Sequence, residues 1–232
     1  MNAAASRGDL ATVQRLHADG VPFARAADGA AENGHLETLK WIRSEGGRWT
    51  AWAVSCAAMN GHLEVLRWIR AEGGPWTGDA ADWAARYGHL EVLRWIRAEG
   101  GPWTSEAADW AARNGHLEVL RWIRAECGPW TSMAANGAAM NGHLKTLQWI
   151  WSKGGPWTMA ASHWAAIHGH HETLQWLVRA GAPLRDKYQY LRAEVEAERS
   201  AVVATLANAA PLLGPDVDGL IGQFVCVDAP SS

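Results

Sequence analysis

The sequence predicts an all-α fold in which about seven helix pairs form a solenoid closed by a C-terminal helical cap. Apolar residues make up 48% of the 232-residue chain, which is ample material for a core. The dipeptide Gly-His recurs every 27 residues, at 34–35, 61–62, 88–89, 115–116, 142–143 and 169–170. The string "GHLEVLRWIRAEGGPWT" fills 61–77, returns unchanged at 88–104, and returns at 115–131 with Cys127 in place of glycine. A fixed period of this length is typical of solenoids.

Each copy of the repeat is predicted to contain two helices, of which the second is amphipathic. Leu63, Leu66 and Ile69 fall on one apolar stripe of this second helix. The stretch 73–75, Gly-Gly-Pro, predicts its end, because glycine accepts the left-handed cap conformation and proline cannot continue a helix. Large apolar residues follow this stop in every copy and are predicted to be core plugs between repeats: Phe23, Trp49, Trp76, Trp103, Trp130, Trp157 and Leu184.

The first helix of each copy is short and rich in alanine, as in "SEAADWAAR" at 105–113. Thr77 is predicted to cap the N-terminus of the first helix that follows it. Asn114-Gly115 predicts a tight turn into the next second helix. The histidine of each Gly-His pair is predicted to be a turn residue that bonds nearby backbone at the helix start.

The string "GHLEVLRWIRAEGGPW" resembles the second half of an ankyrin repeat, G-H-L-E-V-V-K-L-L-L-x-x-G-A, and "AADWAARNGH" resembles the end of its first helix. The likeness covers about 180 residues. The ankyrin period is 33 residues rather than 27, so the β-hairpin finger is expected to be shortened to a simple loop. The family's T-P-L-H motif is absent. The resemblance implies binding of another protein through a concave face, which the loss of the fingers moves onto the first helices.

Composition narrows the classes of partner and compartment. The net charge is −3 and the pI is about 6.4, which gives no support to nucleic acid or an anionic membrane as a partner. Three unpatterned cysteines favour a reducing compartment, and neither a secretory signal nor a long apolar stretch is visible. We therefore expect a cytoplasmic monomer that needs no cofactor.

No enzyme motif is found, and a repeat places identical groups at separated points rather than different groups at one point. The six histidines of the Gly-His pairs lie too far apart to share a metal ion. A sharper metal candidate is "HWAAIHGHH", in which His163, His168, His170 and His171 fall within nine residues. His163 and His168 do not share a helix face, so turn polarity is the simpler explanation. The sequence thus predicts a non-catalytic protein, with ligand binding at 163–171 as an alternative.

Comparison of the copies locates the positions at which they differ. Counted from the threonine that precedes each first helix, these are the second, fifth and ninth positions, whereas the seventh and eighth are Ala-Ala. The variation fits neutral drift at solvated positions and fits partner binding equally well, and large apolar residues tip the balance toward binding. The candidate partner-binding residues are Trp52, Ser55, Met59, Asp79, Asp82, Arg86, Glu106, Asp109, Arg113, Met133, Asn136, Met140 and His163.

Periodicity ends near residue 184, which divides the chain into a repeat domain, 1–184, and a C-terminal segment, 185–232. Residues 185–210 are predicted to form one helix that caps the last repeat. The stretch "LGPDVDGLIGQFV" faintly resembles the opening helix of an F-box, L-P-x-x-x-x-x-x-I-x-x-x-L. That resemblance implies, as an alternative function, an adaptor that recruits ubiquitin-ligase components.

Overall fold

The computed structural model describes residues 1–74 and 77–213, in which all regular structure is helical. The chain divides into two compact units, Met1–Trp130 and Thr131–Ser232. Seven helix pairs follow one another along the two units, as predicted, and the connections 47–50, 101–104, 128–131 and 155–158 contain no strand. None of the described helices is both long and apolar enough to cross a membrane.

The first unit contains five helix pairs. Its first helices pack against one another from each repeat to the next, more extensively than its second helices do. The first helices are α1 (Asn2–Ala5), α3 (Ala26–Glu32), α5 (Ala51–Met59), α7 (Asp79–Arg86) and α9 (Ser105–Arg113). The second helices are α2 (Leu10–Ala18), α4 (Leu36–Ser44), α6 (Leu63–Ala71), α8 (Leu90–Ala98) and α10 (Leu117–Ala125).

The second unit contains two helix pairs and a long terminal helix. The pairs are α11 (Ser132–Met140) with α12 (Leu144–Ser152), and α13 (Met159–Ile167) with α14 (His171–Arg179). A 3-10 turn, Asp186–Tyr188, leads into α15 (Gln189–Leu213). Helix α15 packs against α14, as expected of a cap, although it begins four residues later than the sequence predicted.

The core of each repeat comes from alanines of the first helix and branched residues of the second. In the repeat formed by α9 and α10, Ala107, Ala108, Ala111 and Ala112 are buried, and so are Val119, Leu120 and Ile123. Small side chains let the first helices of neighbouring repeats approach closely, which explains the invariant Ala-Ala pair.

The two glycines that end a second helix have different roles. The first has positive φ, +78° at Gly73, and a Cβ there would meet nothing within 4 Å. The second lies against the preceding isoleucine, so a Cβ at Gly74 would come 2.7 Å from the Ile69 carbonyl oxygen. Cys127 replaces the first glycine in one copy and still adopts φ +56°, a left-handed conformation that costs a side chain about 1–2 kcal/mol.

The histidines correct one prediction, because they bond the preceding repeat rather than nearby backbone. His89 Nε2 donates to the carbonyl oxygen of Met59 at 2.9 Å, and His35 Nε2 donates to that of Ser6 at 3.1 Å. Several of these rings also lie against a turn glycine of the preceding repeat, 27 or 28 residues earlier, so that a Cβ there would come within 3 Å of the ring. Pairs with this packing are Gly8–His35, Gly34–His62, Gly61–His89, Gly88–His116 and Gly142–His170.

The tryptophan plugs also differ from the prediction. Trp49, Trp103 and Trp157 are half-buried rather than in the core. Each meets the second-helix tryptophan of the next repeat edge to face, as in Trp103–Trp122 with ring centroids 5.5 Å apart. An arginine covers several of them, with the Arg97 guanidinium 5.0 Å from the Trp103 ring. The plugs therefore line an edge between repeats, where arginine side chains lie over several of the rings.

Candidate interaction surface

The threonine that precedes a first helix caps it in four of the copies. Thr50, Thr104, Thr131 and Thr158 each accept a hydrogen bond from the backbone N–H two residues later. Thr77 does not, which corrects the prediction made for it. There α7 begins one residue later, with Gly78 at the cap position and no side-chain cap. Glycine at this point disfavours an earlier helical residue.

The fifth position of the first helix ties consecutive repeats together. The Thr104 hydroxyl donates to Asp82 Oδ2 at 2.9 Å, and the Thr158 hydroxyl donates to Asn136 Oδ1 at 3.2 Å. The Ser55 and Thr77 hydroxyls lie 3.2 Å apart. The same tie joins Asp28 to Thr50 in an earlier repeat. Three of the candidate residues, Ser55, Asp82 and Asn136, are thus buried and already bonded within the fold.

Burial shifts the pKa of two side chains at the fifth position. It raises the pKa of Asp82 above the usual aspartate value, although the bonds from Thr104 oppose this. Desolvation lowers the pKa of His163, and the positive charges of Arg185 and Lys187 lower it further. Nδ1 of His163 is buried without a hydrogen-bond partner, while the whole side chain and that of Asp109 are half-buried.

The second position is the most exposed of the three. Trp52 is 47% exposed and Met133 is 57% exposed, and both Asp79 and Glu106 are exposed carboxylates. Residues of the ninth position are half-buried at the other end of each helix: Met59, Arg86, Arg113 and Met140. The second and ninth positions therefore remain available on the surface, whereas most of the fifth position does not.

The sixth position carries tryptophans that the sequence analysis did not select. Trp83 and Trp110 are half-buried and alternate with the ninth-position arginines. The Arg86 guanidinium lies 4.2 Å from the Trp110 ring centroid and 5.1 Å from that of Trp83, and Arg113 lies 5.1 Å from Trp110. Other copies hold Cys56 or Gly137 here, so variation at this position was the signal that could have located them.

A groove of about 290 Å³ lies between α7 and α9 and is lined by residues of the second, fifth, sixth and ninth positions. Its lining consists of Asp79, Asp82, Trp83, Arg86, Glu106 and Trp110. The Trp110 indole N–H donates to Glu106 at 3.4 Å, which orients that ring. Tryptophan and arginine are the residue types that contribute most to protein interfaces, so the groove has the composition of a binding site for another protein.

In the second unit the first-helix surface is apolar instead. Helices α11 and α13 contain no Asp, Glu, Lys or Arg. Their exposed large side chains are Met133, Met159, Trp164 and Ile167, of which Ile167 is 53% exposed. Exposed methionines can repack against partners of different shape.

The remaining reactive side chains form no metal-binding cluster in the described residues. His168 and His170 stack with ring centroids 6.4 Å apart, yet no group of three or more His, Cys, Asp or Glu there could hold a metal ion. Burial raises the pKa of the Cys56 thiol to about 11, so it is unreactive at neutral pH. Cys127 is exposed.

Residues 159–187, which span α13, α14 and the start of the C-terminal segment, match the family model of the ankyrin repeat. The chain contains an ankyrin repeat. The resemblance noted in the sequence is thereby confirmed. No curated protein matches the sequence. The ankyrin repeat domain of human ASB11 has a similar solved structure, with a TM-score of 0.56 and 14% identity, over 67% of this chain and 83% of that one.

At that identity the structural likeness shows the fold, which is the ankyrin-like helical repeat that the sequence predicted. Ankyrin repeats are protein–protein interaction modules and are typically non-catalytic. Here the repeat lacks strands in its described connections, so the first helices, rather than hairpins, offer the variable side chains.

Proposed function

We propose that this protein is a non-catalytic scaffold that binds another protein through the first-helix faces of its ankyrin repeats. One observation carries the proposal: Trp83, Arg86 and Trp110 form a stacked surface along the α7–α9 groove. No core packing requires arginine between two half-exposed indoles. Interfaces, in contrast, draw most of their affinity from such residues.

The partner-binding set follows from this proposal. It contains the exposed second-position residues Trp52, Asp79, Glu106 and Met133, and the ninth-position residues Met59, Arg86, Arg113 and Met140. The sixth-position tryptophans join it. Ser55, Asp82 and Asn136 take a supporting role, because they position each first helix against the next repeat. Asp109 and His163 are half-buried and are included in the set as partly accessible residues.

The accompanying proposals are a cytoplasmic monomer with 1–184 as the repeat domain and 185–232 as a cap, and neither nucleic acid nor membrane as a partner. Of the alternatives, the F-box-like segment lies almost wholly outside the described residues. Metal binding at 163–171 draws no support from the geometry of the histidines there.

Affinity capture from the native cell with three immobilised proteins tests the function. These are the wild type, a W83A/R86A variant, and an E64Q/R67Q control altered at an exposed ion pair on a second helix. The proteins recovered with the wild type and the control should be lost with W83A/R86A, provided that all three have the same helical circular dichroism. Equal recovery on all three would contradict binding through the first-helix face.

A further inference from the structure

The α7–α9 groove has opposite charges at its two ends. Asp79 and Glu106 stand at the second positions of α7 and α9, where the helices begin. Arg86 and Arg113 stand seven residues later, where the helices end. At 1.5 Å per helical residue the two ends are about 10 Å apart. Between them lie the rings of Trp83 and Trp110.

These charges differ in pairing from those on the second helices. On α6, α8 and α10 each Glu lies three residues before an Arg, and all three pairs are closed, as in Arg121–Glu118 at 3.0 Å. Asp79, Glu106 and Arg86 form no ion pair with any described residue. Glu106 instead accepts a hydrogen bond from the Trp110 indole, and Arg86 lies against the rings of Trp83, Tyr87 and Trp110. Asp79 and Arg86 lie seven residues apart, which is too far for them to pair with each other within α7, and this leaves both groups available to a partner.

The helix macrodipole offers a simpler reason for acids at the N-terminus and arginine at the C-terminus. It does not explain the tryptophans that hold the arginine, since a solvated arginine would serve the dipole equally well. Stacking on indole fixes the guanidinium plane and leaves its edge N–H groups free to hold a carboxylate in two parallel bonds.

We propose that the groove binds an extended peptide segment that carries one basic and one acidic side chain three residues apart. The basic group pairs with Asp79 and Glu106, the carboxylate pairs with Arg86, and the intervening apolar residues lie on Trp83 and Trp110. In the extended polyproline II conformation, three residues span about 9 Å and return the side chain to the same face, so the two charged groups can reach the two ends of the groove. This inference rests on the proposed function and names the chemistry of the partner.

A random peptide-display library selected on the full-length protein provides the test. Enriched peptides should share a Lys or Arg three positions from an Asp or Glu, in either chain direction. For a synthetic peptide of that class, replacement of its basic residue by Ala should weaken binding to the wild type by roughly fivefold. The same replacement should have no further effect on a D79N/E106Q variant, and replacement of the acidic residue should have none on R86Q.

An E64Q/E91Q variant is the matched control, because it makes the same change in net charge on the second helices. It should bind the peptide as the wild type does and remain sensitive to both replacements. Peptides that lose binding to W83A/R86A but show no coupling to the charges would overturn this inference and keep the proposed function. Peptides that bind W83A/R86A as well as the wild type, or no enrichment at all, would overturn both.

Discussion

His89 Nε2 donates to the carbonyl oxygen of Met59 at 2.9 Å, so the Gly-His turn of one repeat is bonded to the end of α5, the first helix of the preceding repeat. The same ring packs against Gly61, so that a Cβ added at Gly61 would lie 2.7 Å from His89 Nδ1. The 27-residue recurrence of Gly-His is therefore a contact between repeats, in which the glycine leaves room for the next histidine.

Substitution of Gly61 by Ala tests this contact. A non-glycine residue is strained at the Gly61 φ of +76°, and this strain adds to the clash with His89. G61A should therefore lose about 2–4 kcal/mol of unfolding free energy. Gly73 is a matched control, because its φ is +78° but a Cβ would meet nothing within 4 Å; G73A should lose about 1 kcal/mol. Urea denaturation measures both. Equal losses for the two variants would show that the clash with the His89 ring contributes nothing to the cost of G61A.

Cys127 occupies a position where glycine is preferred. Its φ of +56° is strained for a side chain, and the residue is exposed, so nothing is lost by removing its thiol. C127G should gain about 0.5–1 kcal/mol after the added entropy of the unfolded chain is subtracted. Thermal denaturation should show the higher melting temperature. G100C, the reverse change in the preceding repeat, should lower it; a C127G variant less stable than the wild type would refute the strain.

Thr104 makes two contacts, since it caps α9 and donates to Asp82. T104V removes both and leaves Asp82 with a single bond from the Thr104 backbone, so it should cost about 2–3 kcal/mol. T77V is the comparison, because Thr77 caps no helix and, among the described residues, its hydroxyl faces that of Ser55. Its cost in urea denaturation should be clearly smaller. A T77V loss as large as that of T104V would rule out the cap and the Asp82 bond as the cause.

The half-buried histidines His62 and His116 predict that stability falls in mild acid. Desolvation lowers the pKa of His62 and His116 below the ordinary value of about 6.5. A lowered pKa in the folded state means that the neutral ring is preferred there. Stability is thus complete above the unfolded value and is lost as the pH falls through it. The melting temperature should drop between pH 7.5 and 5.5, and H62Q/H116Q should show a shallower slope. Identical slopes would exclude these two rings as the source.

The helix pairs were predictable because periodicity records burial directly. The stripe of Val119, Leu120 and Ile123 and the Ala-Ala pair occur at the spacing of one helix face, and small side chains allow close packing. Helix ends were predictable where one residue decides them, as glycine does at 73. The prediction that Thr77 caps a helix was wrong because the following Gly78 disfavours helix at that point. Such an effect of one neighbouring residue is not visible in the consensus of the repeats.

The candidate surface was only partly predictable. Variation among copies located Trp52 and Arg86, but it also selected Asp82, whose variability reflects alternative hydrogen-bond partners for the next threonine rather than exposure. Trp83 and Trp110 lie at the sixth position, which the comparison of copies did not select. Which side a residue of a short helix faces depends on packing between repeats, and that information is not contained in a single copy.

Hydrogen–deuterium exchange of the full-length protein, with and without the partner recovered by affinity capture, tests the central proposal most directly. Binding through the first-helix face predicts that the partner slows amide exchange in 79–86 and 105–113 and leaves 90–98 and 117–125 unchanged. Slowed exchange confined to 90–98 and 117–125 would contradict the account, because it would place the partner on the second helices.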